Sequence, residues 1–371
     1  MNQVINPTVH FKTGDFSNIP YAKSASDNQN TINQCLFISR TDWDNFETSW
    51  EFSDLPLLRP GLKGATLEES WNNWAAYCRA NIAWMQELET ENNQLWIAAY
   101  GLQDELTPEV PENEITLARP DPRKDIAAFL SYAVGCMMGR YSLDAPGLIL
   151  ANAGDTLAHY LAKLGKPIEQ LHFVPDADGI LPILDGDWFE DDIVARARQF
   201  LRATFGDATL EVNLRFIETS LGKDLRKYFL TDFYKDHLQT YKKRPIYWLF
   251  QSPKKGFNAL IYLHRYTRDT ANRVLNRYLR EYLHKLQARL DQLDHIQASA
   301  GASARDKTQA RKESDQLRKI RRDCEEYERD ILLPLAQQRL ELDLDDGVKV
   351  NYLKLGNALA PIPGLAASSE E

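Results

Sequence analysis

Residues 241–268 read YKKRPIYWLFQSPKKGFNALIYLHRYTR. Lys242, Lys243 and Arg244 run straight into Ile246, Tyr247, Trp248, Leu249 and Phe250. Lys254 and Lys255 follow, then Phe257, Ile261, Tyr262, Arg265, Tyr266 and Arg268. Strand-forming apolar residues thus alternate with clusters of cations. Tyr247, Trp248 and Phe250 sit in the strand-like run and read as core rather than as stacking platforms. The cations need another explanation, because the chain is acidic overall, with 44 basic and 53 acidic residues and a net charge of −9.

The charge is segregated along the chain. Residues 1–222 carry 16 basic and 32 acidic side chains, whereas residues 223–289 carry 16 basic and 5 acidic. A basic block in an acidic chain points to a polyanionic partner, since each Lys or Arg that neutralises a phosphate releases condensed counterions. The competing explanation is a solvated, salt-bridged surface. Double-stranded DNA is the partner expected here, with Lys242, Lys243, Arg244, Lys254, Lys255, Arg265, Arg268, Arg273 and Arg277 facing it. Gln251 and Asn258 are candidate base readers, because carboxamides pair with adenine.

At 371 residues the chain has room for two or three domains and a substantial core. The longest nearly unbroken apolar run, 126–138, is too short to span a bilayer and is flanked by Arg123, Lys124 and Arg140. The first residues show neither a basic n-region nor an apolar h-region. Cys35, Cys78, Cys136 and Cys324 are scattered, which fits reduced thiols in the cytoplasm better than a disulfide frame or a zinc site.

Coarse periodicity predicts a predominantly α-helical α+β protein in five parts: 1–22, a helical region 23–145, an α/β region with the basic patch 146–266, a helical hairpin 267–340, and a strand, loop and tail 341–371. Trp71, Trp74, Tyr77 and Trp84 fall at helical spacing and predict a buried stripe. Residues 126–140 read as an apolar helix, and 188–205 as a helix with Glu190, Asp191 and Asp192 in its first turn. From 267 to 296, Leu275, Leu279, Tyr282, Leu286, Leu290 and Leu293 step by threes and fours, with Arg273, Arg277, Arg280 and His284 on another face. After the connector ASAGASA (298–304), Leu317, Ile320, Cys324, Tyr327 and Ile331 continue the pattern. The two stretches predict an antiparallel hairpin with a coiled-coil seam, interrupted at Pro334.

Signals for chemistry are sparse. No two glycines are spaced G-x-G, no G-K-[ST] occurs, and the seven histidines show no metal-binding spacing. The acidic stretch PDADGILPILDGDWFEDD fails a calcium-loop template at positions five and six, Ile180 and Leu181, so a turn and an acidic helix start are expected. Asn18, Ile19, Pro20 and Tyr21 differ by one residue from the N-P-P-Y tetrad that holds a flipped adenine, but only 17 residues precede them. No catalytic, cofactor or metal residue is assigned.

The residues FKTGDFSNIP (11–20) resemble the segment that leaves the methyltransferase core of Taq-like and type IIG adenine-specific DNA methyltransferases. Four longer blocks resemble the C-terminal half of the PglX family, the adenine-specific DNA methyltransferases of BREX phage-defence systems. They are TSWEFSDLPLL (48–58), SYAVGCMMGRYSLDAPGLI (131–149), KKRPIYWLFQSPKKGFNALIYLHRYTRDT (242–270) and LDLDDGVKVNYLKLG (342–356). The resemblance implies S-adenosylmethionine-dependent methylation of adenine N6 in the full-length protein, marking host DNA as self. It also implies that this chain holds the target-recognition and helical region, with the catalytic domain preceding it and Met1 an engineered or split-gene start. The rival expectations are an interaction module for other defence subunits or for a phage protein that mimics DNA, and an enzyme with an unrecognised site.

Overall fold

The computed structural model describes residues 22 and 28–365. The segment resembling the exit from a methyltransferase core, including Asn18, Ile19, Pro20 and Tyr21, lies outside the described residues. The chain packs as two units. One comprises the described residues up to Asp44 together with Trp74–Pro120, and the larger comprises Asn45–Asn73 together with the chain from Asp121 onward.

The smaller unit is helical. Helix α1 (Gln29–Trp43) supplies Ile38 to a core completed by Ile82, Met85 and Leu88 of α2 (Leu67–Tyr100) and by Val110, Ile115 and Leu117. The first turns of α2 belong to the larger unit. The proline-rich return after α2 is tied to it by polar side chains: Gln86 donates to Val110 O at 2.7 Å and Asn93 to Pro108 O at 3.1 Å. The expected aromatic stripe is only partly correct. Trp74 is buried, but Trp84 is 41% exposed. The buried line in this unit runs instead through Trp74, Cys78, Ile82, Met85 and Leu88, whose steps of three and four follow the helix more closely.

In the larger unit, α3 (Pro122–Met138) is exposed in its first turn and buried without a break from Tyr132 to Met138. Its ends are well specified: Asp121 caps the N-terminus by accepting from Lys124 N, proline follows in the first turn, and Gly139 ends the helix in the left-handed region at φ 77°. Helices α4 (Leu157–Leu164), α5 (Ile193–Phe205), α6 (Leu210–Leu221), α7 (Leu225–Thr231) and α8 (Phe233–Thr240) follow. The acids expected in the first turn of the 188–205 helix precede it instead. Trp188 is held in a turn by its bond to Asp185 O, and Asp192 is the N-cap, accepting from Val194 N at 2.9 Å. Asp176 likewise accepts from the backbone N–H groups of Asp178, Gly179 and Ile180, so the acidic stretch is built as a turn and a cap.

Strands β1 (Ile180–Pro182), β2 (Tyr247–Gln251) and β3 (Asn258–Tyr262) form an antiparallel sheet in the order β1-β3-β2. Trp248 pairs with Ile261 and Phe250 with Ala259, and these side chains join one core with the C-terminal helices. The alternate residues Tyr247, Leu249, Leu260 and Tyr262 are equally buried on the other face, where Tyr262 OH reaches Leu150 O at 2.6 Å. The outer edge of β2 is covered at one end: Ala360 N donates to Leu249 O, and Leu359 bridges to Phe250. The sheet is therefore a buried slab rather than a surface.

The C-terminal helices pack as an antiparallel pair. Helix α9 (Thr270–Arg273) runs through a π-helical turn (Val274–Leu279) into α10 (Arg280–Ala298), and α11 (Ala304–Tyr327) returns beside it. Leu275, Leu279, Tyr282, Leu286, Leu290 and Leu293 are all buried, facing Leu317, Cys324 and Tyr327. Pairing of Arg280 with Glu328, Arg289 with Glu313 and Asp294 with Arg318 fixes the antiparallel sense. The expected break at Pro334 does not occur. A second π-helical turn (Glu328–Leu332) precedes it and runs directly into α12 (Leu333–Gln338), so the chain stays helical through Pro334. The reading of 341–371 as strand, loop and tail also needs correction. Residues Gly347–Lys354 form helix α13, whose Tyr352 packs edge-on against Trp248 at 5.1 Å between ring centroids.

The β2–β3 turn is held by one carboxylate of α11. Asp323, 1% exposed, accepts from Ser252 Oγ at 2.5 Å, Lys254 N at 3.0 Å and Gly256 N at 2.9 Å. A Cβ at Gly256 would stand 2.9 Å from Asp323 Oδ2 and would push this buried carboxylate aside. Asp323→Ala leaves two backbone donors and a hydroxyl without their acceptor. It is expected to lower the unfolding free energy by about 3 kcal/mol in a urea titration; a loss below about 1 kcal/mol would contradict this account of the turn.

Candidate nucleic-acid interface

A hairpin buried on both faces leaves its cations only the ends. Lys242, Lys243 and Arg244 lie just before β2, at the end where β3 finishes, and all three are exposed. Lys254 and Lys255 lie in the β2–β3 turn at the other end. Five residues of strand separate the two groups, so they stand on the order of 20 Å apart, about two Debye lengths at ordinary salt. They do not form one continuous patch.

The nine expected contacts therefore divide. Arg265 is removed from the surface: it is 5% exposed, and its guanidinium donates to the carbonyls of Asp176 and Ala177 at 2.7 Å each and to Met138 at 3.4 Å. Burial pulls its pKa below the usual arginine value, opposed by the neighbouring Asp176 carboxylate. It is a structural clamp whose charge is committed to backbone oxygens. Arg277 pairs with Asp178 at 3.0 Å, Arg268 with Glu341 at 3.7 Å and Lys254 with Glu326 at 3.3 Å. Arg273 is half-buried and Lys255 exposed. Asn258 is not free to read a base. It is buried, its carboxamide accepts from Gln251 Nε2 at 2.8 Å, and it donates to Lys255 O, so the two candidate readers are locked to each other across the strands.

Lys242, Lys243 and Arg244 have no ion-pair partner among the described residues. Their turn is shaped by two consecutive non-glycine residues in the left-handed region, Lys242 at φ 49° and Lys243 at φ 62°. The turn closes α8: Lys242 N donates to Gln239 O, Lys243 N to Leu238 O and Arg244 N to Tyr241 O. Beneath it, His237 Nε2 accepts from both Ile246 N at 3.2 Å and Tyr247 N at 3.1 Å. Accepting two backbone donors requires a neutral ring with an unprotonated Nε2. Burial, reinforced by the charge of Arg140, pushes the His237 pKa down to about 3.

Beside this turn lies a groove of about 820 Å³, lined by Glu47, Thr48, Ser49, Trp50, Arg140, Leu148, Thr240, Tyr241, Lys242 and Arg244. Trp50 and Arg140 are contributors that the sequence reading passed over. Trp50 sits in the block 48–58, flanked by Ser49 and Glu51 with no helical periodicity, and that isolation was the available signal. Arg140 ended an apolar helix pattern and read only as a flank. It is 8% exposed, with its guanidinium over the rings of Tyr141 at 5.1 Å and Tyr241 at 5.7 Å. Glu47 accepts from Ser131 Oγ at 2.6 Å. Burial raises its pKa, partly offset by Arg140.

No protein-family model matches the chain. Comparison with curated proteins gives two close relatives of one kind. The adenine-specific methyltransferase BrxX of Escherichia coli O9:H4 (strain HS) is 35% identical over 99% of this chain, which covers 32% of that protein. The adenine-specific methyltransferase PglX of Lacticaseibacillus casei (strain Zhang) is 35% identical over 95% of this chain, which covers 30% of that protein. The resemblance read from the sequence is borne out: almost the entire chain matches adenine-specific methyltransferases named BrxX and PglX, and it spans about a third of their length. Among the described residues no helix is long and apolar enough to cross a membrane, and no cluster of His, Cys, Asp and Glu is arranged to hold a metal ion.

The depressed pKa of His237 has a consequence with a definite sign. The unfolded histidine titrates near 6.5 and the folded one near 3. Its contribution is therefore complete above about pH 6.5 and is lost as the pH falls towards 3, because only the unfolded chain takes up the proton in that window. Replacing His237 with Gln, which keeps an acceptor but cannot protonate, is expected to flatten stability against pH between about 6.5 and 4 relative to wild type. Parallel profiles for the two proteins, followed by denaturant midpoints, would contradict the assignment.

Proposed function

We propose that this chain is the DNA-recognition region of a BREX adenine-N6 methyltransferase, working in the cytoplasm, and that the 242–244 turn docks it on duplex phosphates. The observation that carries this reading is the set of three adjacent, exposed cations without an ion-pair partner among the described residues, in a chain of net charge −9. Their turn is anchored from beneath by His237 at two backbone donors. Elsewhere in the basic block nine cations pair with acids and Arg265 is bound to carbonyls, while Lys227, Lys255 and Arg273 stand singly without an ion-pair partner among the described residues, so the 242–244 turn is the one run of three consecutive unpaired cations in the block. Phosphate contacts of this kind fix position and register, and base contacts supply sequence discrimination.

The methyl donor, S-adenosylmethionine, and the catalytic residues belong in this reading to the part of such a methyltransferase that the chain does not span. Other BREX subunits are further partners under this proposal, and so is an acidic phage protein that presents DNA-like charge to the same cations.

Charge reversal tests the reading. Wild type is expected to bind a random-sequence duplex with an affinity that falls log-linearly with salt. Lys242→Glu/Lys243→Glu/Arg244→Glu is expected to weaken binding by at least about 100-fold at low salt and to reduce the salt slope by about 2 to 3, close to one unit per lost phosphate contact. Lys254→Glu/Lys255→Glu is expected to have a smaller effect, since Lys254 already pairs with Glu326. Equal effects of the two variants, or none from the triple variant, would contradict the assignment of docking to this turn.

A further inference from the structure

The groove beside the basic turn carries features that docking on a duplex backbone does not use. Trp50 stands at its edge with 98% of its surface exposed, a position of little benefit to folding for the largest apolar side chain. Lys242 and Arg244 belong to the same lining. Arg140 and Tyr241 line it too, and Arg140 Nε is buried without a hydrogen-bond partner among the described residues. Arg140 is more than nine-tenths buried, and an unmet buried donor is uncommon in a folded protein. Thr48, Ser49 and Thr240 add hydroxyls. The acidic lining residue is Glu47, one of whose oxygens is already committed to Ser131.

An open aromatic face, cations at the rim and buried polar groups on the lining together match one chemistry, a planar base carrying a phosphate. Proteins that hold unpaired strands combine base stacking on aromatic rings with a positively charged track for the backbone. A base inside an intact duplex has both faces covered by its neighbours, so away from the duplex ends a protruding indole stacks on one that has left the stack. The volume of about 820 Å³ lies within the range of small-ligand sites.

We propose that this groove binds an unpaired nucleotide of a docked DNA strand, with Trp50 stacking on the base, Lys242 and Arg244 meeting the adjacent phosphates, and Arg140 offering a hydrogen bond to the base or sugar. The inference rests on the DNA-docking reading above and adds to it a site for a single extruded or bulged nucleotide. Trp50 is the group that separates the two, since a phosphate-docking surface has no need of it.

The test compares three probes by fluorescence anisotropy at fixed salt: a fully paired duplex, the same duplex with one unpaired adenosine, and dAMP as competitor. Wild type is expected to bind the bulged duplex about 10-fold more tightly than the paired one, the scale of one base–aromatic stack. Trp50→Ala is expected to bring that ratio to about one and Trp50→Phe to keep most of it, with far-UV circular dichroism confirming that both variants fold. Equal affinity of wild type for the two duplexes, or an undiminished ratio in Trp50→Ala, overturns the nucleotide site and leaves docking intact. Displacement by dAMP that depends on Trp50, without a preference for the bulge, assigns the groove to free mononucleotides and overturns the strand assignment. Failure to bind either duplex overturns both docking and the site built upon it.

Discussion

A two-stranded hairpin buried on both faces is the constraint on which the rest of this structure depends. Trp248, Phe250, Ala259 and Ile261 pack towards the C-terminal helices, while Tyr247, Leu249, Leu260 and Tyr262 pack towards α3 and its neighbours. No strand position is then open to a free charge, because an unpaired ion in such a layer costs several kcal/mol. The basic residues of this region must stand at the strand ends or find a partner. Residues 242–244 and 254–255 take the first course, and Arg265 takes the second by donating to three carbonyls.

Each end of the hairpin is fastened by a buried polar group from a different layer. At one end His237 of α8 accepts from the first backbone donors of β2. At the other, Asp323 of α11 gathers two backbone N–H groups and a hydroxyl of the turn. Both satisfy backbone groups that would otherwise be buried without partners, and both fix the turns that carry cations. Fold and surface charge are therefore coupled: the contacts that complete the core also set where charge emerges. The two ends differ in what surrounds them. Glu326 stands beside Lys254, whereas the 242–244 turn faces a groove lined with Arg140 and a bare indole.

Much of this architecture was legible in the sequence. The alternation of apolar runs with cation clusters marked the hairpin, and steps of three and four from Leu275 to Leu293 marked the seam of the helical pair, because periodicity reports directly on which face is buried. What escaped was decided by tertiary partners. Nothing local distinguishes Arg265 from Arg268, yet one is enclosed by the 176–177 turn and the other stands near Glu341. Asn258 read as a free carboxamide until its cross-strand partner Gln251 came into register. Pro334 reads as a helix stop, yet the chain passes through a π-helical turn into α12 and stays helical across it. Trp50 was hidden among the aromatic residues of a chain that buries most of its others.

The central claim is that duplex DNA meets this chain at the 242–244 end of the hairpin. Hydrogen–deuterium exchange with and without a random-sequence duplex tests it most directly, because it reports on every backbone amide without altering a side chain. The account predicts that added DNA slows exchange in the loop at 47–51 and the turn at 241–246, with little change at the opposite turn, 252–257. Protection confined to 252–257 or to the helical hairpin, or no change anywhere under conditions where the duplex is bound, would contradict it.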